Sequence, residues 1–229
     1  MLRAFFHAWE RRLASVSKDR VVRPFEWGLD WLAENGQSHA DGPARDEGEG
    51  SERIQAWVSR VMTDTGAFYT APPTGDYTLA AAAADGEREL SFPSAFRTPH
   101  PDNNTVRCRF FPARARGGRP RRRAAVLVLP QWNADPGGHA GLCRLLAANG
   151  MAALRLSLPY HDRRMPPELH RADYIVSSNV VRTLQVCRQA VLDARRAIAW
   201  LAGEGFDRIG ILGTSLGSCL SLLTTAHEP

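Results

Sequence analysis

The chain has 229 residues, enough for one large domain or two small ones, and 44% of them are hydrophobic, so a substantial core is possible. The formal charge of +5 comes from arginine, and the arginine-rich residues 114–123 hold no aromatic side chain. We interpret that stretch as a solvated loop and expect no nucleic-acid partner. The four cysteines form no C-x-x-C pair, which predicts no metal site and favours a reducing, cytoplasmic location.

The first 35 residues carry a helical pattern. A stripe at three- and four-residue steps consists of Leu2, Phe5, Phe6, Trp9, Leu13 and Val16, with arginines opposite. Such a stripe packs on its own domain or lies on a membrane surface as a peripheral contact. We favour packing on the chain's own domain. No apolar run approaches transmembrane length.

The next segment contains few core-forming residues. Residues 36–52 are polar and glycine-rich, which predicts a loop. A short helical pattern at residues 54–62 precedes a turn-rich stretch around Pro72 and Pro73. We therefore assign residues 1–89 to an N-terminal helical and irregular region, and residues 90–229 to a second domain.

The second domain alternates apolar runs with helical patterns. Strands are predicted at residues 107–114, 124–129, 152–158 and 208–212, and helices at 137–149, along a long stretch from Val180 to Leu201, and from Leu216 onward. Alternation of this kind predicts an α/β fold, with a mostly parallel sheet and helices on both faces.

A G-x-S-x-G motif connects the last strand to the last helix. In Gly213-Thr214-Ser215-Leu216-Gly217, the glycines allow a sharp turn that exposes the serine hydroxyl at a helix N-terminus. The amide of Leu216 can donate to an oxyanion. This context favours a nucleophile elbow with Ser215 as the nucleophile, over a simple glycine-rich turn.

Two earlier loops leave the carboxyl ends of strands, where open α/β sheets place their sites. Gln131 and Trp132 follow residues 124–129, and either backbone amide is a candidate second oxyanion donor. Tyr160 and His161 follow residues 152–158 and are candidates for facing a substrate or ordering the loop. We do not favour His161 as the base, although it precedes an aspartate in sequence.

The segments AAVLVLPQWN, LRLSLPYHDRRMPPEL and RIGILGTSLG together resemble the α/β-hydrolase superfamily. More narrowly, they resemble the group of α/β-hydrolase domain-containing protein 18 and its bacterial relatives. The resemblance covers residues 90–229. It implies serine-dependent hydrolysis of an ester or thioester through an acyl-enzyme, with Ser215 as nucleophile and Leu216 with Gln131 or Trp132 at the oxyanion positions. No metal or organic cofactor is implied. The N-terminal helix and the aromatic residues suggest a small-molecule ester with a lipid-like acyl group.

The resemblance also implies a catalytic acid and a histidine that follow the nucleophile in sequence. His227 is the one histidine after Ser215, and twelve residues of helix rise about 18 Å, too far for a hydrogen bond. We therefore expect the acid and the histidine beyond residue 229, and a chain truncated after the elbow helix and inactive on its own.

Two alternatives stay open. In one, the chain is a non-catalytic α/β module that binds a partner through the exposed edge of its sheet. In the other, His139 or His161 serves as the base within this chain.

Overall fold

The computed structural model describes residues 2–16, 23–32, 47–114 and 123–228. The strands are β1 (Thr78–Leu79), β2 (Arg88–Pro93), β3 (Thr105–Phe111), β4 (Ala124–Leu129), β5 (Ala152–Leu156) and β6 (Arg208–Gly213). The helices are α1 (Leu2–Val16), α2 (Glu47–Thr63), α3 (Thr65–Phe68), α4 (Ala140–Ala148), α5 (Val180–Gly203) and α6 (Leu216–His227).

The six strands form one mixed sheet in the order β1-β2-β3-β5-β4-β6. β4 lies between β5 and β6 and is parallel to both. β3 is antiparallel to β2 and to β5, so β2 runs in the same direction as the three parallel strands. Four of the six described strands therefore share one direction, and the carboxyl ends of β4, β5 and β6 meet at one edge of the sheet.

Alternation along β4 explains how helices cover both faces of the sheet. Leu127 and Leu129 join the core beneath α5 and α6, whereas Val128 points to the opposite face and packs with Cys143 of α4. The side chains of Leu127, Val128 and Leu129 are all fully buried. This arrangement confirms the predicted α/β fold, with a mostly parallel sheet and helices on both faces.

The N-terminal region departs from the predicted pattern. α2 begins at Glu47, so the predicted loop at residues 36–52 is wrong from that residue onward, and residues 33–46 lie outside the described part. A Cβ on Gly50 would stand 2.5 Å from the ring of Trp27, so this helix uses a glycine where the indole lies against it. The sheet also begins at Thr78, before the predicted boundary at residue 90.

The aromatic stripe of α1 is exposed and does not pack on the part of the protein that the structure describes. Phe5, Phe6, Trp9 and Leu13 are between 46% and 67% exposed, so the prediction that they pack on their own domain is wrong. The side chains of Leu2 and Val16 lie outside the described residues. In the described part of the chain, no helix combines the length and the apolarity that crossing a membrane requires. Residues 115–122, which make up most of the arginine-rich stretch, also lie outside the described residues.

Candidate active site

Backbone strain is concentrated at one edge of the sheet. Among the described residues other than glycine, five have a positive φ: Asn133, His139, Tyr160, Asp162 and Ser215. Asn133 and His139 follow β4, Tyr160 and Asp162 follow β5, and Ser215 follows β6. Because a positive φ is unfavourable for such residues and tends to occur where structure serves function, this edge is the candidate site.

Ser215 has φ 51° and ψ −117°, a combination that lies outside the left-handed helical region as well as the ordinary regions. It is exposed and stands one residue before α6, and its side chain makes no capping hydrogen bond to the helix. The hydroxyl is therefore accessible to a small molecule rather than used in local structure.

The two glycines of the motif are required by close packing. A Cβ on Gly213 would lie 2.1 Å from the carbonyl oxygen of Gly217 and 2.4 Å from Oγ of Ser221. A Cβ on Gly217 would lie 2.2 Å from the carbonyl oxygen of Leu129, at the end of β4. The two ends of the turn at Ser215 therefore pack closely against each other, and the turn packs against the end of β4. A side chain at either glycine would push these backbone segments apart.

Three backbone amides in the loops at this edge have no carbonyl partner among the described residues. Leu216 is the first residue of α6, so its N–H has no acceptor within the helix, and it donates to no other carbonyl in the described chain. The amides of Gln131 and Trp132, just after β4, likewise donate to no carbonyl among the described residues. Since Gly217 touches the end of β4, the loop that carries these two amides begins beside the Ser215 turn.

His161 supports the loop that carries Gln131 and Trp132. Its ring is 1% exposed. Nε2 accepts a hydrogen bond from the amide of Asn133 at 2.8 Å, so Nδ1 carries the proton and donates to the carbonyl oxygen of Pro159 at 2.9 Å. Burial lowers the pKa of His161, which keeps the ring neutral. With both nitrogens occupied, His161 has no nitrogen left to accept a proton from Ser215.

Tyr160 is also buried inside the loop after β5. Its hydroxyl lies 3.0 Å from Nδ1 of His100, and its backbone amide donates to the side chain of Asn103. These contacts, with those of His161, favour the loop-ordering role over the substrate-facing role that the sequence left open. Burial raises the pKa of Tyr160 to about 12.

A second contact fixes the loop before α4. Arg155 in β5 is fully buried and donates to the carbonyl oxygens of Asp135 and Gly138. Its charge is balanced by Asp162, whose Oδ2 lies 2.9 Å from Nη1. The sequence pattern did not predict this role, because residue 155 falls within a mostly apolar run that indicates only a buried strand.

His139 lies next to the serine turn without contacting the serine. Its Nε2 is 3.0 Å from Oγ1 of Thr214, and its buried Nδ1 has no hydrogen-bond partner. Burial, followed by the charge of Arg155, lowers its pKa. His227, at the far end of α6, stacks on Tyr69 with ring centres 4.7 Å apart. In the described part of the chain, no histidine is hydrogen-bonded to the hydroxyl of Ser215.

The described residues contain no cluster of three or more histidine, cysteine or acidic side chains that could hold a metal ion. The groups described at this edge of the sheet are the exposed hydroxyl of Ser215, amides that have no carbonyl partner and the N-terminus of α6. Such an arrangement can stabilise an oxyanion that forms on a substrate carbonyl next to Ser215.

Comparisons with known proteins support the fold. No protein-family model matches the chain, and no curated protein matches it in sequence. Among solved structures, it is similar to a candidate acetyl xylan esterase from Bacteroides fragilis, with a TM-score of 0.53 and 14% identity, over 77% of this chain and 51% of that one. It is also similar to an acetyl xylan esterase from Paenibacillus sp. R4, with a TM-score of 0.51 and 17% identity, over 73% of this chain and 55% of that one. The matched region thus spans about half the length of these proteins.

Proposed function

We propose that the protein is a serine hydrolase of the α/β-hydrolase superfamily that cleaves a carboxylic ester through an acyl-enzyme. The observation that carries the proposal is Ser215, exposed in a strained turn between β6 and α6 that two sterically required glycines make possible. The narrower assignment, to the group of α/β-hydrolase domain-containing protein 18, rests on the PQWN and LPYHDRRMP segments.

In this mechanism, Oγ of Ser215 attacks the acyl carbon and its proton passes to a general base. The negative charge that develops on the carbonyl oxygen is held by the amide of Leu216, together with that of Gln131 or Trp132. Collapse of the tetrahedral intermediate expels the alcohol, which takes a proton from the protonated base. Water then attacks the acyl-serine, releases the acid and restores the hydroxyl.

The general base is proposed to be a histidine other than His139 and His161, oriented by an acidic residue. The described histidines support this, because His161 has both nitrogens engaged and His139 binds Thr214 instead of Ser215. We propose that the substrate is a small or lipid-like ester, that no metal or organic cofactor takes part, and that the enzyme is cytoplasmic. The two similar structures, an acetyl xylan esterase and a candidate one, are in keeping with ester cleavage.

A fluorophosphonate probe, applied with imidazole in solution to act as the base, tests the proposal, because it should phosphonylate a serine held beside oxyanion donors faster than other serines. We expect mass spectrometry to locate the adduct on Ser215. The Ser215→Ala variant should lose the adduct, whereas Ser59→Ala, which changes an exposed serine of α2, should keep it. Labelling spread evenly over exposed serines, or undiminished in Ser215→Ala, would reject Ser215 as the nucleophile.

The alternative of a non-catalytic module is favoured by one feature, the position of β6 at the end of the described sheet. In that case β6 binds a partner strand and Ser215 has no chemical role. Absence of the Ser215 adduct, together with a partner whose binding is lost when β6 is altered, would favour the module over the enzyme.

A further inference from the structure

The exposed stripe of α1 is aromatic and continuous. Phe5, Phe6, Trp9 and Leu13 are 67%, 46%, 51% and 57% exposed. At 3.6 residues per turn they fall on one side of the helix. Their rings touch one another, with 5.8 Å between the centres of Phe5 and Phe6 and 6.2 Å between those of Phe6 and Trp9. The helix therefore presents an aromatic face that the described part of the protein leaves uncovered.

Charged side chains border this face on both sides. By the same helical geometry, Arg12 lies beside the stripe at one margin and Arg3 lies beyond the other. The only acidic residue of α1 is Glu10, and it faces His7, with 3.7 Å between Nδ1 and Oε2. Within the described residues, no acidic side chain pairs with Arg3 or Arg12. On the Arg3 side Glu10 lies closer to the stripe than Arg3 does, but the helix has three arginines, at positions 3, 11 and 12, against one glutamate. It is therefore apolar on one face and carries a net positive charge.

We propose that α1 lies flat on an anionic lipid surface, with the aromatic stripe in the interfacial region and Arg3 and Arg12 beside the phosphates. Fifteen residues of helix are about 22 Å long, too short for the roughly 30 Å hydrocarbon core, so the helix lies on the membrane and does not span it. Aromatic side chains favour the interface, and arginines extend their charge to the headgroups.

Charge argues for lipid over a second copy of this chain. Two copies that met through the stripe would bring their bordering arginines together, and like charges in an interface oppose association. An anionic bilayer instead attracts each arginine near its surface. This proposal stands on the surface of α1 alone and does not depend on the role of Ser215.

Vesicle co-sedimentation of the full chain tests it. We expect binding to vesicles that contain one third phosphatidylglycerol, and binding weaker by about tenfold or more to pure phosphatidylcholine. The double variant Phe5→Ser/Trp9→Ser should lose at least about tenfold in binding to the anionic vesicles. The variant Arg3→Gln/Arg12→Gln should bind both kinds of vesicle more nearly equally.

Matched controls separate this surface from general stickiness. Leu222→Ser removes an exposed apolar side chain of α6, and Arg97→Gln removes an exposed arginine between β2 and β3; both should bind the anionic vesicles as the parent chain does. No vesicle binding, equal binding to both lipid mixtures, or loss of binding in the controls would overturn the proposal. So would concentration-dependent dimerisation in sedimentation velocity that Phe5→Ser/Trp9→Ser abolishes.

Discussion

The carbonyl oxygen of Leu129, at the end of β4, lies 2.2 Å from the point where a Cβ on Gly217 would stand. The first turn of α6 is therefore seated directly on the end of the neighbouring strand. This contact places the Ser215 hydroxyl and the amides after β4 at one edge of the sheet. The backbone of α6 and that of β4 are so close here that no side chain fits between them. The candidate site therefore requires glycine at residue 217, because even the methyl group of alanine would not fit there.

Replacing Gly217 with alanine should damage both the fold and the site. The new Cβ would collide with two backbone carbonyls, which cannot rotate away as a side chain could, so we expect a loss of about 2 kcal/mol or more in the free energy of unfolding. Phosphonylation of Ser215 should fall in parallel. Gly210→Ala is the matched control, because it changes a glycine of β6 that has nothing within 4 Å of its Cβ position. Urea denaturation and labelling of the two variants measure the difference, and equal stability would contradict the packing argument.

Turnover by residues 1–229 should be very slow even if Ser215 is labelled. No described histidine is hydrogen-bonded to the Ser215 hydroxyl, and a general base contributes about 10²–10⁴-fold. Added imidazole should therefore raise the rate of aryl ester hydrolysis in a way that Ser215→Ala abolishes, after subtraction of the reaction of imidazole with the ester. Rapid turnover without imidazole would instead indicate that a base within the chain already serves Ser215.

If that base were in the chain, His139 would be the candidate, because it lies beside Thr214. His139→Gln should then remove the turnover while leaving Ser215 accessible to the probe. In our account, His139→Gln leaves the slow rate of the parent chain unchanged.

The ion pair between Arg164 and Asp193 should be a major support of the loop after β5. Nη2 lies 2.8 Å from Oδ2, and neither side chain is exposed. Asp193→Asn keeps the shape but leaves a buried guanidinium without its counter-charge, which costs about 3–5 kcal/mol. The double replacement Arg164→Met/Asp193→Leu should recover a large part of that loss. Asp85→Asn, at the exposed pair with Arg144, should leave the unfolding midpoint unchanged.

Stability should fall as the pH drops through the histidine range. Burial lowers the pKa of His161 in the folded protein from the ordinary 6.5, so the unfolded chain binds more protons between the two values. The contribution is therefore fully present above about pH 6.5 and is lost as the pH falls towards the folded pKa. The free energy of unfolding should be measured at pH 7.5 and at pH 5.5, about one pH unit on either side of the ordinary histidine pKa. The difference between the two values should be smaller for His161→Gln than for the parent chain.

The sequence predicted the elements whose signal is local. The run AAVLVL matches β4 from Ala124 to Leu129, and the long apolar repeat matches α5 from Val180 to Gly203. The glycine spacing around Ser215 predicted the sharp turn, because a side chain at residue 213 or 217 would collide with neighbouring backbone atoms. Each of these patterns reports contacts that the segment makes with its own neighbours or with a continuous core.

The remaining features depend on partners far away in sequence. α2 begins among glycines because Gly50 must fit against Trp27, a tertiary contact that overrides local propensity. β1 has two residues and is defined only by its pairing with β2. His161 appeared notable because it precedes Asp162, but its actual partner is the amide of Asn133, 28 positions earlier. A single sequence does not reveal such pairings.

The most direct measurement is a crystal structure of the chain phosphonylated at Ser215. Our account predicts that residue 215 keeps a positive φ and that the phosphoryl oxygen accepts hydrogen bonds, about 2.7–3.1 Å long, from the amide of Leu216 and from that of Gln131 or Trp132. An adduct whose oxygen points to solvent away from these amides, or a serine that relaxes to a negative φ, would contradict it.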